Sequence, residues 1–209
     1  VRSRLLRILM GVGAPAGPPA AARLPGAPWF VQRNILMLLG KLGSWPEGFT
    51  PRDYIGHSDP RVRREAYRLL VDDPATKDSA IEAGLADSDP GVLDLVLRAA
   101  PTACPPAALP QLERILRDAS QSSETRVLAL KALVGSKVPD AVARLLAVAT
   151  QRRWWGSTGL ASKSPVLLAS LAALAEGWGG DPQVAPVLAL AARHRDPEIR
   201  ASVGARQSS

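Results

Sequence analysis

Asp59-Pro60-Arg61-Val62-Arg63-Arg64-Glu65-Ala66-Tyr67-Arg68-Leu69-Leu70 is the stretch whose reading decides the fold. An Asp stands where a side-chain carboxylate can accept a free N–H of a first helical turn. A Pro follows at the first helical position, where its fixed φ suits the helix and its missing N–H costs nothing. Apolar residues at 62, 66, 69 and 70 share one face of a 3.6-residue period. The stretch therefore predicts a capped amphipathic helix that buries one stripe.

The pattern recurs along the chain. With Ala66 as the small position facing a partner helix, equivalent positions fall at Leu5, Ile35, Val96, Ala129, Leu171 and Val203. The intervals run from 30 to 33 residues, except for 42 between Ala129 and Leu171. Second helices are expected to begin at or next to residues 28, 60, 90, 123, 165 and 197. Between them lie shorter amphipathic stretches, Lys77 to Ala86, Leu109 to Ala119, Asp140 to Thr150 and Gln183 to Arg193, each about three turns long. No period-2 run predicts a strand. A fixed period with two helices per copy implies an all-α solenoid of about six to seven helical hairpins. Each hairpin would bury its apolar face only by stacking on its neighbours.

The Asp-Pro-x-Val-Arg-x-x-Ala-x-x-Leu-Leu core resembles a HEAT repeat, and the chain as a whole resembles bacterial HEAT-repeat domains. The segment Pro28-Trp29-Phe30-Val31-Gln32-Arg33-Asn34, followed by Leu38-Leu39-Gly40-Lys41-Leu42-Gly43, is especially like one bacterial subgroup. The departures are Leu93 and Leu168, where the family usually has Arg, and the long fifth interval. The resemblance implies fold more than activity, since the family holds scaffolds, adaptors and a few enzymes.

Residues 1–209 read as one HEAT-repeat array with a Gly-, Pro- and Ala-rich loop over 11–28 and an insertion over 150–163. A poor helix at Ala20 to Arg23 is the most the loop is expected to hold. The chain opens at Val1, inside a repeat helix, without Met and without the Asp-Pro cap, so it is expected to be a piece of a longer chain. No apolar run reaches the roughly 18 residues a membrane span needs. Cys104, the one cysteine, excludes an internal disulfide and fits a reducing, cytoplasmic setting; its turn, Pro101 to Pro106, suits an inert thiol.

Net charge is +7 with a pI near 10.3, which points to an acidic partner. The distribution argues against a phosphate-tracking groove. Residues 1–72 carry 11 basic and 5 acidic side chains, residues 73–119 carry 4 and 8, and residues 120–209 carry 11 and 6. The middle is acidic, and the excess is nearly all Arg in an Ala- and Gly-rich chain.

Arg63, Arg126 and Arg200 share one repeat position and are expected to pair with Asp59, Asp89 or Asp196 at neighbouring turns. Arg61, Arg64 and Arg68, beside Arg33, form a candidate basic patch for a partner, against the simpler reading of a solvated helix face. Gln151-Arg152-Arg153-Trp154-Trp155-Gly156-Ser157-Thr158-Gly159 exceeds the repeat. Adjacent tryptophans cannot both face one core. Arg152, Arg153, Trp154 and Trp155 are therefore either a binding element, since Arg and Trp are enriched at hot spots, or a hydrophobic plug over the irregular stack. The plug is the favoured expectation, with Trp155 the more exposed of the pair. Trp29, Trp45 and Trp178 read as turn-packing residues.

Phosphate-loop, dinucleotide, nucleophile-elbow and zinc-protease motifs are absent from the sequence. No metal or cofactor is expected: His57, His194 and Cys104 do not lie at ligand spacing. The paired carboxylates Asp72-Asp73 and Asp87/Asp89 fall in turns, where capping accounts for them. The reading is a non-catalytic scaffold holding a protein partner on its concave surface. Resemblance to HEAT-like alkylpurine DNA glycosylases and bilin lyases supplies the alternative, a nucleic-acid binder or enzyme using Trp154, Trp155 and Arg152 as exposed aromatics on a basic face. The acidic middle opposes it. The chain should therefore bind duplex DNA only weakly at low salt and lose it steeply as salt rises; an affinity tighter than about 1 μM at about 0.15 M salt would contradict this.

Overall fold

Short side-chain caps open the long helices. Asp59 accepts from the Arg61 N–H at 2.9 Å, Asp89 from Val92 at 2.9 Å, Ser122 from Thr125 at 3.0 Å, Ser164 from Leu167 at 3.1 Å and Asp196 from Glu198 at 2.9 Å. In the computed structural model, which describes residues 11–43, 45–102, 104–136, 140–152, 154 and 156–204, these caps start helices at Pro60, Pro90, Ser123, Pro165 and Pro197. Each start matches the expected position. A further helix starts at Trp29 after Pro28, with no side-chain cap. The chain is mostly helical, and it divides after Ala99 into two compact units.

Unit 1 holds α1 (Gly17–Ala21), α2 (Trp29–Leu42), α3 (Pro60–Asp72), α4 (Lys77–Gly84) and α5 (Pro90–Ala99), with a 3₁₀ turn at Pro51–Tyr54. α3 packs on α2, on α4 and on α5, and α4 packs on α5. One cluster joins Leu24, Ile35, Leu36 and Leu39 to Val62, Ala66 and Leu69. Trp29 and Trp45 pack against it, as expected of turn residues. The close approach of α3, α4 and α5 needs Gly84: a Cβ there would lie 2.5 Å from Val96 Cγ1 and 3.2 Å from Tyr67 Cε1. The Gly-rich segment carries α1 three residues earlier than the helix expected at Ala20, and Leu24 after it is buried in the core.

Unit 2 holds 3₁₀ turns at Ala100–Thr102 and Pro106–Ala108, then α6 (Leu109–Arg117), α7 (Ser123–Gly135), α8 (Ala141–Ala149), α9 (Pro165–Trp178), α10 (Ala185–Ala192) and α11 (Pro197–Gly204). α6 packs on α7, α7 and α8 on α9, α9 on α11, and α10 on α11. One element departs from the all-helical expectation. Between α8 and α9, β1 (Thr150–Arg152) pairs antiparallel with β2 (Thr158–Leu160). The insertion is a β-hairpin, which a sequence without alternating apolar residues does not announce.

Burial supports the register. Ile35, Ala66, Val96, Ala129 and Leu171 are buried and Val203 is half-buried. The first repeat position, Leu5, lies outside the described residues. Among the described residues no helix is long and apolar enough to cross a membrane. Val62 and Leu69 lie in the unit 1 core, where an unpaired carboxylate would cost several kcal/mol. Val62→Asp or Leu69→Asp should therefore unfold unit 1 or lower its thermal midpoint by many degrees; a melt unchanged within about a degree would place these side chains in solvent.

Candidate functional site

Three turns share a device that begins two residues ahead of the capping Asp. The Asp59 N–H donates to His57 Nδ1 at 2.9 Å, the Asp89 N–H to Asp87 Oδ1 at 2.7 Å, and the Asp196 N–H to His194 Nδ1 at 3.1 Å. The motif is acceptor-x-Asp-Pro, and it explains both histidines of the chain as turn closers. Because Nδ1 accepts, each neutral ring carries its proton on Nε2.

Of the three arginines expected at one repeat position, Arg63 and Arg200 secure these same turns. Arg63 Nη1 donates to the carbonyls of His57 (3.0 Å) and Ser58 (3.3 Å). Arg200 Nη1 donates to those of His194 (2.8 Å) and Arg195 (2.9 Å). Arg126 Nε donates to the Leu116 carbonyl at 2.9 Å, in the last turn of α6. The expected Asp partners are thus corrected: backbone carbonyls take most of these bonds, and the one carboxylate among the partners is Asp87, held by Arg63 Nε (2.8 Å) and Nη2 (2.7 Å).

The candidate basic patch of unit 1 is internally paired. Arg64 holds Asp89 through Nε (2.6 Å) and Nη2 (2.7 Å). Arg61 forks onto Asp59 at 3.0 and 2.7 Å while its guanidinium lies 3.5 Å over the Trp29 ring. Glu65, buried on α3, takes Arg68 at 2.7 Å and Arg33 at 3.9 Å. Arg33, Arg61, Arg63, Arg64 and Arg68 thus face Asp59, Glu65, Asp87 and Asp89, and little net charge is left to attract phosphate. The electrostatics follow. The hydrogen bond from Arg61 holds Asp59 down at about 2. Arg64 likewise lowers Asp89. Burial pushes Asp87 up, but the bonds from Arg63 and the Asp89 N–H outweigh it and leave Asp87 below its usual value.

The insertion supplies the most exposed large hydrophobic side chain among the described residues. β1 and β2 register Thr150 with Leu160, Gln151 with Gly159 and Arg152 with Thr158. The base is anchored: Thr150 Oγ1 donates to the Leu146 carbonyl at 2.7 Å, the Ala161 N–H to that of Ala149 at 2.9 Å, and β2 packs on α10 with Gly159 and Leu160 buried. At the tip Trp154 is 91% exposed and Arg152 is exposed. Trp154 therefore does not pack as the plug that was expected. Arg153 and Trp155 lie outside the described residues.

A cleft of about 630 Å³ runs between the hairpin and the α10–α11 turn, lined in part by Ser157, Ser162, Lys163, Leu190, His194 and Asp196. Serine, histidine and aspartate meet there, but not as a nucleophilic relay. His194 Nδ1 faces a backbone N–H, not a carboxylate, and Asp196 is spent on the Glu198 N–H and on Lys163 Nζ at 2.7 Å. Among the described residues no group of three or more His, Cys, Asp or Glu is placed to hold a metal ion. Cys104 is buried. Sequence reading missed Lys163, Asp87 and the role of His57 and His194; aligning the three acceptor-x-Asp-Pro turns would have found all but Lys163.

The chain matches no protein-family model, no curated protein and no solved structure.

Two of the three forked pairs of unit 1 differ in burial. The Arg63 side chain is 13% exposed and that of Asp87 6%, whereas Arg64 is 40% exposed. Arg63→Ala strands a buried carboxylate and should cost about 3 kcal/mol. Arg64→Ala should cost about 1 kcal/mol or less. Since Asp87 and Asp89 have lowered folded pKa values, the stability they contribute is present above the ordinary carboxylate range and disappears as pH falls through those lowered values. Urea melts of both variants at neutral pH check the ranking, and equal losses would refute it.

Proposed function

We propose that the chain is a non-catalytic HEAT-like α-solenoid that serves as a scaffold for a protein partner. Serial packing carries this reading: α2, α3 and α5 stack in order in unit 1, and α7, α9 and α11 do so in unit 2, with the repeat position buried in five of these six helices. Structures built by such stacking work through extended surfaces, and the second helices would line the concave one. The arginines that might have served nucleic acid are occupied by carboxylates and carbonyls of the chain itself, which favours protein over phosphate backbone for the patch in unit 1.

The hairpin is the element of this scaffold best suited to anchor a partner. An exposed indole on a ribbon anchored at its base, in the same hairpin as the exposed Arg152, is the kind of group that becomes favourable when a partner pocket desolvates it. Arg33, Arg61, Arg64 and Arg68 act in this reading as the frame that holds α2, α3 and α5 in place, and Arg152 and Trp154 as contact residues.

A photo-crosslinking residue in place of the exposed Ser157 of the hairpin, in the chain expressed in its own cells, should yield a protein adduct. Trp154→Ala, placed in that same crosslinking chain, should reduce adduct formation by an amount equivalent to about 2 kcal/mol of binding, with the melting temperature barely changed. A nucleic-acid adduct, or a Trp154→Ala chain that melts lower and still forms the adduct, would refute the proposal.

A further inference from the structure

Beside the hairpin site, unit 2 has a small cavity of about 200 Å³ among α6, α7 and α8, with a different chemistry. Its polar lining is Arg117 from the last turn of α6, Arg126 from α7, Arg144 from α8, and one acid, Glu113. Leu116, Leu133, Ala147 and Val148 make up the rest; Ala147 is exposed and Val148 half-buried, so the pocket opens to water on one side.

Three guanidiniums meet one carboxylate. Glu113 pairs with Arg144 and, at 3.2 Å, with Arg117. That leaves a local balance of +2. Part of each guanidinium is spent, but donors remain. Arg126 uses Nε on the Leu116 carbonyl. Arg144 Nε is buried and has no hydrogen-bond acceptor among the described residues. A buried charged donor left unmade is costly, and three like charges around one apolar pocket repel one another. Both penalties disappear if a dianion sits among them.

We infer that this cavity binds a phosphoryl dianion, either inorganic phosphate or a phosphate monoester. Three observations point to it. The charge of roughly −1.5 to −2 that a monoester carries at neutral pH matches the +2 of the lining. Guanidinium forks fit phosphoryl oxygens two at a time. The volume is below the roughly 300–1,000 Å³ typical of drug-sized sites, so it suits a phosphoryl group with its waters better than a whole nucleotide. A single carboxylate would leave a cation unmatched, and a backbone phosphodiester carries only one charge. The source is either free phosphate or a phosphorylated side chain of a bound protein. The inference does not depend on the scaffold reading, because the cavity lies on other elements than the hairpin tip.

Isothermal titration of the full chain at about 0.15 M salt tests it, with four probes: inorganic phosphate, a blocked tripeptide carrying phosphoserine, the same tripeptide with Glu in its place, and a short DNA duplex. Saturable binding of phosphate or of the phosphopeptide, with the Glu peptide and the duplex at least tenfold weaker, is the expected result. Tighter binding of the phosphopeptide than of phosphate assigns the source to a modified protein; equal binding assigns it to free phosphate. Arg117 is 75% exposed and outside the core, so Arg117→Ala should keep the fold, as a thermal melt verifies, and weaken binding about tenfold. Lys131→Ala removes the same charge from the exposed side of α7 and should change nothing. No saturable binding by either phosphate probe, equal binding by the Glu peptide or the duplex, or equal losses in the Arg117 and Lys131 variants would overturn the inference. Retention of phosphate binding by Trp154→Ala keeps this test separate from that of the hairpin.

Discussion

The capped turn is the constraint on which the rest of the structure depends. A helix of eight to fourteen residues is marginal in water, because its first N–H groups have no partners and nucleation is costly. Here the Asp or Ser cap satisfies one of them, and in three turns an acceptor two residues earlier also ties down the N–H of the capping Asp. Where Arg63 and Arg200 reach back to the carbonyls of the same turn, both polar faces of the connection are satisfied. The turn then sets the angle at which each helix enters, and small residues such as Ala66 and Ala129 let the helices close on one another.

This use of arginine changes the meaning of the chain's charge. A net charge of +7 suggests an electrostatic partner, yet in unit 1 the guanidiniums are structural donors. Arg63 spans two turns at once, joining the carbonyls ahead of α3 to the carboxylate ahead of α5. Gly91 makes room for the companion pair, since a Cβ at that position would collide with the Arg64 guanidinium where it reaches Asp89. Pairing of this kind stabilises only while both partners remain, because the desolvation of each charge is offset by the other. The lowered pKa of Asp89 expresses the same coupling. In unit 2 the balance differs: around Glu113 the arginines outnumber the acids.

The hairpin shows how a departure from the helical pattern gains a form of its own. Gly159 and Leu160 seat β2 on α10, while β1 continues directly from α8. With both ends fixed to helices, a short ribbon that would be unstable alone in water persists, and its tip presents Trp154 to solvent.

Much of the fold was legible in the sequence because its causes are local. Asp-Pro and Ser caps marked the helix starts at Pro60, Pro90, Ser123, Pro165 and Pro197, and the 3.6-residue spacing of Val62, Ala66, Leu69 and Leu70 marked the face that is buried. The excess length of the fifth interval marked where something other than a repeat turn must lie. Partner choice was not legible. Arg63 and Asp87 are 24 residues apart, and nothing in the spacing tells that Asp87 rather than Asp59 or Asp89 receives that fork. The sequence likewise placed two Trp in the insertion without telling whether either is covered, because β1 and β2 are joined by backbone hydrogen bonds that leave no periodicity in the side chains. Caps and amphipathic faces belong to the chain itself; ion pairs, cavities and the exposure of Trp154 belong to distances between segments, and only the folded structure decides those.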